Sequence, residues 1–431
     1  MIVSPAFAGK RYAVLGLARS GLAAVESLVA SGARVTAWDR QDHARAKVDT
    51  ANVLLADPLE IDLTGYDGVV VSPGVPLNTH PIAARAAQFG VPVIGDIELF
   101  AQARAALPPH KVVGITGTNG KSTTTALVHH ILQTAQVPST MGGNIGLPIL
   151  AQDPLAPNEN GVGVYVLELS SYQIDLTYTL DCDVAVLLNV TPDHLDRYDG
   201  FEAYRQSKMR LFAMQSPGRA AIMPISGESR IDQSGWPSLQ GPHNAGNALA
   251  AMEIARALRI PEATLATALR TFTGLPHRME RVATHGGVLF VNDSKATNTD
   301  SAAPALAAFP PQSDGPRIHW IVGGLPKEDG LGACAPHLGN VKAAYTIGEA
   351  GPRFAQLIEP HAPVVRAEML CEATRRAIAA AAPGDVVLLS PACASFDQFK
   401  DYEQRGERFR QFVAVLTEDP AADPCKQEAL V

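Results

Sequence analysis

Short apolar runs that end at polar or glycine residues alternate with segments of helical periodicity along the chain. Residues 12–17 form one such run, and the next covers residues 34–38. Between them, residues 20–30 have the spacing of a helix, with Ser20 as its expected N-cap. This strand–helix–strand alternation predicts a parallel sheet of the Rossmann type.

The same alternation recurs twice farther along the chain. An apolar run at residues 111–116 leads into a glycine-rich loop and a predicted helix near residues 122–133, and a third segment with a run at residues 318–322 begins near Gly274. Ligands of open α/β sheets bind beyond the carboxyl ends of the strands, so we expect the functional residues in the loops after these runs. The predicted α/β domains are a Rossmann-like domain over residues 1–95, a central P-loop ATPase-type domain over residues 96–274 and a Rossmann-like C-terminal domain over residues 275–431.

The composition is that of a folded, acidic protein. Of the 431 residues, 46% are hydrophobic and 18% are charged, which excludes a largely disordered chain. The formal net charge of −8 disfavours binding to nucleic acid or to an acidic membrane surface, so an anionic ligand needs a local cluster of basic groups. No apolar stretch approaches the roughly 20 residues of a membrane span, and the N-terminus lacks the pattern of a signal peptide.

The cysteines predict neither a disulfide framework nor a zinc site. Their number is odd, their spacing is wide and no C-x-x-C motif occurs, which favours a reducing, cytoplasmic location. The five are Cys182, Cys334, Cys371, Cys393 and Cys425.

A glycine-rich loop between a predicted strand and a predicted helix carries the strongest motif. The segment Gly114-Ile-Thr-Gly-Thr-Asn-Gly-Lys-Ser-Thr123 allows backbone N–H groups to approach phosphate oxygens at a helix N-terminus. Lys121 can reach the β- and γ-phosphates, and the hydroxyl of Ser122 or Thr123 can bind Mg²⁺. Ile115 stands where the strict G-x-x-x-x-G-K-[ST] pattern has glycine, so the loop is a variant of the phosphate-binding motif.

The first glycine-rich turn carries a weaker motif. In Gly16-Leu-Ala-Arg-Ser-Gly21, Ala18 replaces the middle glycine of G-x-G-x-x-G, while Asp39 lies about where a ribose-binding acid is expected. The turn leaves two interpretations open, namely dinucleotide binding and a plain βαβ connection.

Two polar residues follow buried strands in the central segment. Glu168 ends the run at residues 164–168, where an acid commonly faces a phosphate-bound Mg²⁺, and His194 follows the run at residues 184–189. Each alone is typical of an ordinary loop residue, but beside a phosphate loop they indicate a metal site. Lys208 lies in the middle of a predicted helix, a position typical of a surface lysine.

Together these motifs resemble the Mur ligases, which add amino acids to the cytoplasmic peptidoglycan precursor. The resemblance covers essentially the whole chain, and its C-terminal motifs are similar to those of the D-glutamate-adding branch. It implies three domains and an ATP-dependent ligation of D-glutamate to UDP-N-acetylmuramoyl-L-alanine through an acyl phosphate and a tetrahedral intermediate. The motifs are Gly117–Thr123, Gly142–Pro148, Glu168–Ser171, Asn189–Asp196, Gly241–Asn244, Gly274–Arg278, Asn292–Asn298, Leu389–Ser395 and Asp397–Lys400.

The resemblance implies roles for residues that bind nucleotide and metal. Glu168 would bind the Mg²⁺ on the β- and γ-phosphates, and His194 would bind a second Mg²⁺. Lys208 would be carbamylated by CO₂ and so bind metal as an anion, and Asn144 would contact the acceptor near its reacting carboxylate. The residues implied to bind ATP are Gly117, Thr118, Asn119, Gly120, Lys121, Ser122, Thr123, Asn244, Asn247, Arg278, Asp293 and Lys295. The implied catalytic residues are Lys121, Asn144, His194 and Lys208, and the implied metal ligands also include Ser122 and Thr123.

Two further sets of residues are implied to hold the substrates. A UDP group bound at the N-terminal domain would account for its imperfect glycine motif, because that domain would not hold NAD. The family commonly has Phe where this chain has Tyr402. The residues implied to bind UDP are Leu17, Ala18, Arg19, Asp39, Arg40, Ser72 and Gly74, and those implied to bind D-glutamate are Thr297, Lys327, Ser395 and Tyr402.

Three other interpretations of the sequence lead to different experiments. Folylpolyglutamate synthase shares the Gly-Thr-Asn-Gly-Lys-Ser loop, but it lacks the UDP-binding domain that the first 95 residues predict. A nucleotide-dependent switch would hydrolyse ATP without an amino acid, and a dehydrogenase would bind NADH at the first domain. We expect a monomeric enzyme that needs both acceptor and amino acid, with no nucleic-acid or membrane partner.

Overall fold

The computed structural model describes residues 1–193, 197–223, 231–327, 329–419, 422 and 425, and its strands form three sheets. The chain divides into two compact units, of which the first contains the first two sheets and the second contains the third. Three α/β segments are therefore present as predicted, while the boundaries at residues 95/96 and 274/275 stay predictions. The first unit comprises Met1–Ser229 and Gly246–Leu269, and the second comprises Arg230–Ala245 and Arg270–Val431.

The first sheet is parallel throughout. Its segment contains β1 (Arg11–Leu15), α1 (Arg19–Ala30), β2 (Arg34–Trp38), α2 (Asp42–Arg45), β3 (Val53–Leu55), β4 (Gly68–Val71), α3 (Ile82–Gln88) and β5 (Val93–Ile94). The strand order is β3-β2-β1-β4-β5, and β4 is fully buried, as expected of a parallel strand covered on both faces. The expected N-cap at Ser20 is wrong, because Leu22 N already bonds the Ala18 carbonyl and α1 begins at Arg19.

The second sheet is also parallel. Its segment contains α4 (Asp96–Ala103), β6 (His110–Thr116), α5 (Lys121–Thr134), β7 (Ser139–Gly143), β8 (Gly163–Glu168), α6 (Ser171–Asp175), β9 (Val184–Leu187), α7 (Gly200–Ala213), β10 (Ala220–Ile222), α8 (Pro242–Ala257) and α9 (Glu262–Thr271). The order β10-β9-β6-β8-β7 places β6 in the centre, so the loop between β6 and α5 lies between the ends of β8 and β9.

The third sheet has one antiparallel edge strand that the sequence patterns did not predict. Its segment contains β11 (Glu280–His285), β12 (Val288–Asn292), α10 (Thr299–Ala307), β13 (Ile318–Gly323), β14 (Val341–Ile347), α11 (Gly351–Ile358), β15 (Val364–Glu368), α12 (Leu370–Ala380), β16 (Val386–Leu389) and α13 (Tyr402–Glu418). The order is β11-β12-β16-β13-β14-β15, and only the pair β11–β12 is antiparallel within this sheet as the structure describes it. Gly286 and Gly287, with φ of 57° and 78°, form the tight turn that joins the two strands.

A disulfide corrects the cysteine prediction. Cys371, in the first turn of α12, is bonded to Cys425, which follows α13, with a sulfur–sulfur distance of 2.08 Å. The 54-residue separation of the pair concealed it in the sequence, because only the packing of α12 against α13 brings the two cysteines together. Across the described ranges, no helix is long and apolar enough to cross a membrane.

Candidate active site

The phosphate loop is held in place by the segment after β9. Asn119 N donates to Asn189 Oδ1 at 2.8 Å, and Asn189 Nδ2 donates to the Asn119 carbonyl at 3.0 Å. Gly120 has a φ of 83°, and a Cβ atom there would lie 2.1 Å from Asn247 Oδ1. Glycine is therefore required at the start of α5, both for its conformation and for the space it leaves.

Lys121 and Lys208 bind the backbone of this loop. Lys121 Nζ donates to the Gly117 and Thr118 carbonyl oxygens at 3.0 and 2.8 Å, and Lys208 Nζ donates to the same Gly117 oxygen at 2.9 Å. Lys208 is only 1% exposed. Its burial, and then the charge of Lys121, lower the pKa of Lys208 to about 7, although Asp193 and Asp175 act in the opposite direction.

Glu168 has the geometry of a metal ligand. It is buried at the end of β8, where its Oε1 accepts a hydrogen bond from Asn144 Nδ2 at 3.0 Å. Its Oε2 is buried and has no partner among the described residues, and the same holds for Thr116 Oγ1 at the end of the adjacent strand β6. A buried carboxylate oxygen without a donor is costly unless a cation binds it, and oxygen ligands suit Mg²⁺. These residues therefore fit a magnesium ion.

The predicted UDP residues surround the turn after β1. Asp39 accepts from Leu17 N at 2.7 Å, and Ser72 Oγ donates to the Gly16 carbonyl at 3.0 Å. Burial would raise the pKa of Asp39, but its backbone hydrogen bonds and the nearby cationic side chains lower that pKa below its usual value. Arg19 reaches the central segment, where its Nη2 donates to the Gly146 carbonyl at 2.9 Å. Ala18, Arg40 and Gly74 are exposed.

Three predicted nucleotide residues lie around the end of β12 in the second unit. Asp293 accepts from Met279 N at 3.1 Å and from Ser390 Oγ at 2.7 Å, and its burial raises its pKa to about 7. Lys295 N donates to the His277 carbonyl at 3.0 Å. Arg278 Nε is buried without a partner within the described part of the chain, which leaves a cationic donor available to an anionic ligand.

The loops that carry the predicted D-glutamate residues are bonded to one another. Lys327 Nζ donates to Thr297 Oγ1 at 3.3 Å, and Leu325 pairs with Ala394, which precedes Ser395. Ser294 Oγ donates to the Tyr402 carbonyl at 2.8 Å. The structure thus brings Thr297, Lys327, Ser395 and Tyr402 to one edge of the third sheet.

Arg405 is a residue that the sequence analysis missed at this edge. It is 1% exposed, and its guanidinium donates to the carbonyl oxygens of Ser294 and Cys393 at 2.8 and 3.0 Å. Burial lowers the pKa of Arg405 to about 10. The sequence does contain a signal for this residue. Arg405 precedes the buried Phe409 and Phe412 of α13 by four and seven residues, and this spacing places a cation on the apolar face of the helix.

Three family models match consecutive parts of the chain. They are described as Mur ligase MurD-like, N-terminal domain (residues 10–95), Mur ligase middle domain (residues 115–234) and Mur ligase, glutamate ligase domain (residues 277–393). The chain belongs to the Mur ligase family. The predicted family and the predicted three-domain α/β architecture are therefore confirmed.

Proteins from several bacteria are similar to this Mur ligase over its whole length. The protein named UDP-N-acetylmuramoylalanine–D-glutamate ligase in Novosphingobium aromaticivorans is 62% identical, with 99% of each chain covered. The protein with the same name in Zymomonas mobilis is 52% identical and covers 96% of this chain and 100% of its own.

Solved structures of other Mur ligases share the fold. UDP-N-acetylmuramate–alanine ligase MurC from Thermotoga maritima has a TM-score of 0.56 at 18% identity, and covers 94% of this chain and 99% of its own. MurF ligase from the same organism, solved in complex with ADP, has a TM-score of 0.57 at 16% identity, with 96% of each chain covered. At these identities the likeness shows the fold alone.

Two predictions about the central domain of this Mur ligase have different outcomes. His194, the expected ligand of a second metal ion, lies outside the described residues. Lys208 is buried, which excludes the surface position that its place in the helix alone suggests, while its role as a carbamylated metal ligand stays a prediction. The buried residues of α7 are Tyr204, Ser207, Lys208 and Leu211, whose i, i+3, i+4, i+7 spacing is the signal that could have placed the lysine on the inner face.

The residues predicted to bind ATP are distributed over both units of the Mur ligase. The phosphate loop and Asn247 belong to the first unit, where Thr124 Oγ1 donates to Asn247 Oδ1 at 3.3 Å. Asn244 belongs to the second unit, together with Arg278, Asp293 and Lys295, and its Nδ2 donates to the Gln240 carbonyl at 3.1 Å.

Proposed function

We propose that this Mur ligase catalyses the ATP-dependent addition of D-glutamate to UDP-N-acetylmuramoyl-L-alanine. The observation that carries the proposal is the buried Oε2 of Glu168, which has no hydrogen-bond partner among the residues that the structure describes. Glu168 lies on the strand next to the phosphate loop, and its carboxylate is bonded to Asn144. The names of the full-length relatives supply the substrates. We place the reaction in the cytoplasm, where the peptidoglycan precursor is made, and expect the enzyme to act as a monomer.

The chemistry needs an activated carboxylate, because a carboxylate is a poor electrophile at neutral pH. An oxygen of the acceptor carboxylate attacks the γ-phosphorus of ATP, which releases ADP and leaves an acyl phosphate. The amine of D-glutamate attacks the acyl carbon, and the tetrahedral intermediate collapses to the amide as inorganic phosphate leaves and the amine loses its proton. Both partners in the first step are anions, so catalysis depends on cations placed between them.

In this proposal, the cationic and polar groups of the first unit hold the phosphates. Lys121 lies at the start of α5 and supplies positive charge to the β- and γ-phosphates, while the backbone N–H groups of Gly117–Gly120 surround them. Glu168 and the hydroxyl of Ser122 or Thr123 would hold Mg²⁺, which would supply further charge neutralisation. Asn144 bonds Glu168 and presents its amide toward the acceptor carboxylate.

A second metal position rests on Lys208 and His194. An ammonium group repels Mg²⁺, whereas a carbamate formed from CO₂ and the neutral amine carries two oxygens and a negative charge. The pKa of about 7 makes the neutral amine available near physiological pH. We therefore assign the carbamylated Lys208 and His194 to a second Mg²⁺, and Lys208 remains buried as such a ligand requires.

The remaining residues are assigned to the nucleotide and to the two substrates. Asn244, Asn247, Arg278, Asp293 and Lys295 complete the ATP set. Leu17, Ala18, Arg19, Asp39, Arg40, Ser72 and Gly74 are assigned to UDP. Thr297, Lys327, Ser395 and Tyr402 are assigned to D-glutamate, whose carboxylates suit the Lys327 ammonium and the adjacent Thr297 hydroxyl.

The test is ADP release measured with ATP, Mg²⁺ and UDP-N-acetylmuramoyl-L-alanine, with and without D-glutamate. We expect release only when both the acceptor and D-glutamate are present. Equal turnover with L-glutamate or with meso-diaminopimelate would overturn the D-glutamate assignment. ATP hydrolysis without any amino acid would instead favour a nucleotide-dependent switch.

A further inference from the structure

Arg197 joins the predicted UDP-binding loop to the central domain within the first unit. Its Nη1 donates to the Val75 carbonyl oxygen at 3.3 Å, and its Nη2 donates to the Gly74 carbonyl oxygen at 3.1 Å. Both carbonyls belong to the loop after β4, which also contains Ser72. Two donors on one planar guanidinium fix the orientation of a loop as well as its position.

The same guanidinium begins a series of aromatic contacts, the tyrosine ladder, formed by Tyr172, Tyr198 and Tyr204. Arg197 Cζ lies 4.5 Å from the centroid of the Tyr172 ring. The Tyr172 and Tyr198 rings are stacked, with centroids 6.1 Å apart and planes 11° apart. The centroids of the Tyr198 and Tyr204 rings are 5.4 Å apart. The ladder therefore runs without interruption from Arg197 to α7.

The far end of the tyrosine ladder reaches the phosphate loop. Tyr204 is 1% exposed, its Oη lies 3.2 Å from Thr118 Oγ1, and the centroid of its ring is 4.5 Å from Lys208 Nζ. The middle of the ladder is fixed by Tyr198 Oη, which donates to Asp175 Oδ2 at 2.7 Å. The loop after β4 and the phosphate loop are thus connected through a continuous series of side-chain contacts.

Val75 and Leu77 of the loop after β4 pack against the core of the first sheet, but the side of the loop that faces the central domain is less tightly packed. A cavity of about 50 Å³ lies between the loop and α6, lined by Pro73, Leu77, Tyr172 and Tyr198 among others. Gly74 is itself exposed. The two hydrogen bonds from Arg197 are direct polar contacts between this loop and the central domain.

We propose that Arg197 is a positioning residue for the ligation. It acts through the loop after β4 and through the tyrosine ladder, and it sets where the UDP end of the acceptor is held relative to the phosphate loop and Lys208. The inference rests on the proposed function, because it needs a substrate that binds at both places. It predicts that loss of Arg197 impairs the chemical step more than the binding of UDP, since Leu17 and Asp39 remain in place.

The experiment compares Arg197→Ala and Arg197→Lys with Arg210→Ala. Arg210 is a matched control, because its Nη2 donates to the Thr177 carbonyl at 3.0 Å and its Cζ lies 5.3 Å from the Tyr178 ring, away from the tyrosine ladder. For each variant, kcat and the KM values for ATP, acceptor and D-glutamate are measured by ADP release. The Kd of UDP alone is measured by calorimetry, and folding is checked by thermal unfolding.

We expect Arg197→Ala to lower kcat about 10- to 100-fold, because a misplacement of about 1 Å can cost a reaction that much. The Kd of UDP and the KM values for ATP and D-glutamate should change less than about threefold. Arg197→Lys, which retains one donor group but not the planar pair, should have an intermediate kcat. Arg210→Ala should have a kcat within about twofold of the wild type.

Two results would overturn the inference. One is an Arg197→Ala kcat equal to that of Arg210→Ala, and the other is a loss of UDP binding as large as the loss of kcat. If Arg197→Ala does not fold, the test rests on Arg197→Lys. An Arg197→Lys variant that folds normally and has the kcat of the wild type would reject the positioning role. Absence of D-glutamate-dependent turnover in the wild type would overturn the proposed function and this inference with it. If the wild type is active but the Arg197 variants do not show the expected loss of kcat, only the inference is rejected.

Discussion

Lys121 and Lys208 donate to the same acceptor, the carbonyl oxygen of Gly117, at 3.0 and 2.9 Å. Two ammonium groups so close together, one of them buried, disfavour having both protonated. Lys208 is the more buried of the pair, and its pKa falls to about 7. Burial and the neighbouring Lys121 thus make the neutral form of the Lys208 amine more accessible near neutral pH than that of an exposed lysine.

The first prediction follows from this pair. Lys208→Ala should abolish ligation without unfolding the protein, and acetate should partly restore activity by occupying the vacated volume. Lys208→Arg should also be inactive, because arginine retains the charge but does not form the carbamate. The direct measurement is a carbonyl signal after incubation with ¹³C-bicarbonate, present in the wild type and absent in both variants. Full activity of Lys208→Ala in CO₂-free buffer would contradict the assignment.

The second prediction compares two glycines with the same backbone conformation. Gly120 and Gly200 both have a φ of 83°, but a Cβ atom at Gly120 would lie 2.1 Å from Asn247 Oδ1, whereas one at Gly200 would meet no described residue within 4 Å. Gly200→Ala should therefore cost only the left-handed strain, about 1–2 kcal/mol in the free energy of unfolding. Gly120→Ala should in addition displace Asn247 and abolish ATP binding, as measured by calorimetry. ATP affinity equal in the two variants would contradict this account of the loop.

The phosphate loop and Glu168 could be placed from the sequence because their positions are set locally. The end of β6, the loop glycines Gly117 and Gly120, and Lys121 at the start of α5 all lie close together in the sequence. Lys208 could not be placed in this way, since its burial depends on α7 packing against α6, where Ser207 Oγ donates to the Ser171 carbonyl at 3.2 Å. Its surroundings come from residues far away in the sequence.

Arg405 and the disulfide show the same limit. Arg405 bonds backbone groups of Ser294 and Cys393, which are 111 and 12 residues away in sequence. Cys371 meets Cys425 only because α12 and α13 pack together. Periodicity can predict that a segment is helical, but it carries no information on which helix lies beside which.

The third prediction concerns the D-glutamate carboxylates. Lys327→Ala should raise the KM for D-glutamate at least about tenfold and leave the KM for ATP nearly unchanged, because it removes a charge-assisted contact to the amino acid alone. Arg366→Ala is the control, since Arg366 is an exposed cation of the same unit that pairs with Glu359 at 2.8 Å. A selective rise in the KM for ATP would assign Lys327 to the nucleotide instead.

The fourth prediction tests the disulfide. Peptide mapping of oxidised protein without reductant should recover Cys371 linked to Cys425, with Cys182, Cys334 and Cys393 recovered as reduced cysteines. Reductant should lower the unfolding temperature of the wild type, because opening a loop of this length frees conformational entropy in the unfolded chain, about 4 kcal/mol in the loop-closure model. Cys371→Ser should have the lower temperature already and should not respond to reductant. An equal response of both proteins would exclude this bond as the cause.

The last prediction uses two buried carboxylates whose pKa values are shifted in opposite directions. Burial raises the pKa of Asp293 to about 7, so its contribution to stability is fully present below the unfolded pKa of about 3.9 and is lost as the pH rises through 7. For Asp385, burial would raise the pKa, but hydrogen bonds from Lys342, the Ala382 backbone and His319 lower it. The contribution of Asp385 is therefore present above its unfolded pKa and is lost as the pH falls through its folded pKa.

Thermal unfolding of the ligand-free protein between pH 4 and pH 8 separates the two cases. The unfolding temperature of Asp293→Asn, taken relative to the wild type, should rise as the pH increases from 4 to 8, because the amide has no charge to bury. Asp385→Asn should be destabilised relative to the wild type at neutral pH, since it loses the ion pair with Lys342, and that deficit should stay nearly constant down to pH 4, because the contribution of Asp385 is lost only below its unfolded pKa of about 3.9. Parallel pH profiles for the two variants would show that Asp293 is ionised in the folded protein as readily as in the unfolded chain. In that case Asp293 would be ionised when the nucleotide binds. The hydroxyl of Ser390 would then have to be the donor in the hydrogen bond between the two side chains.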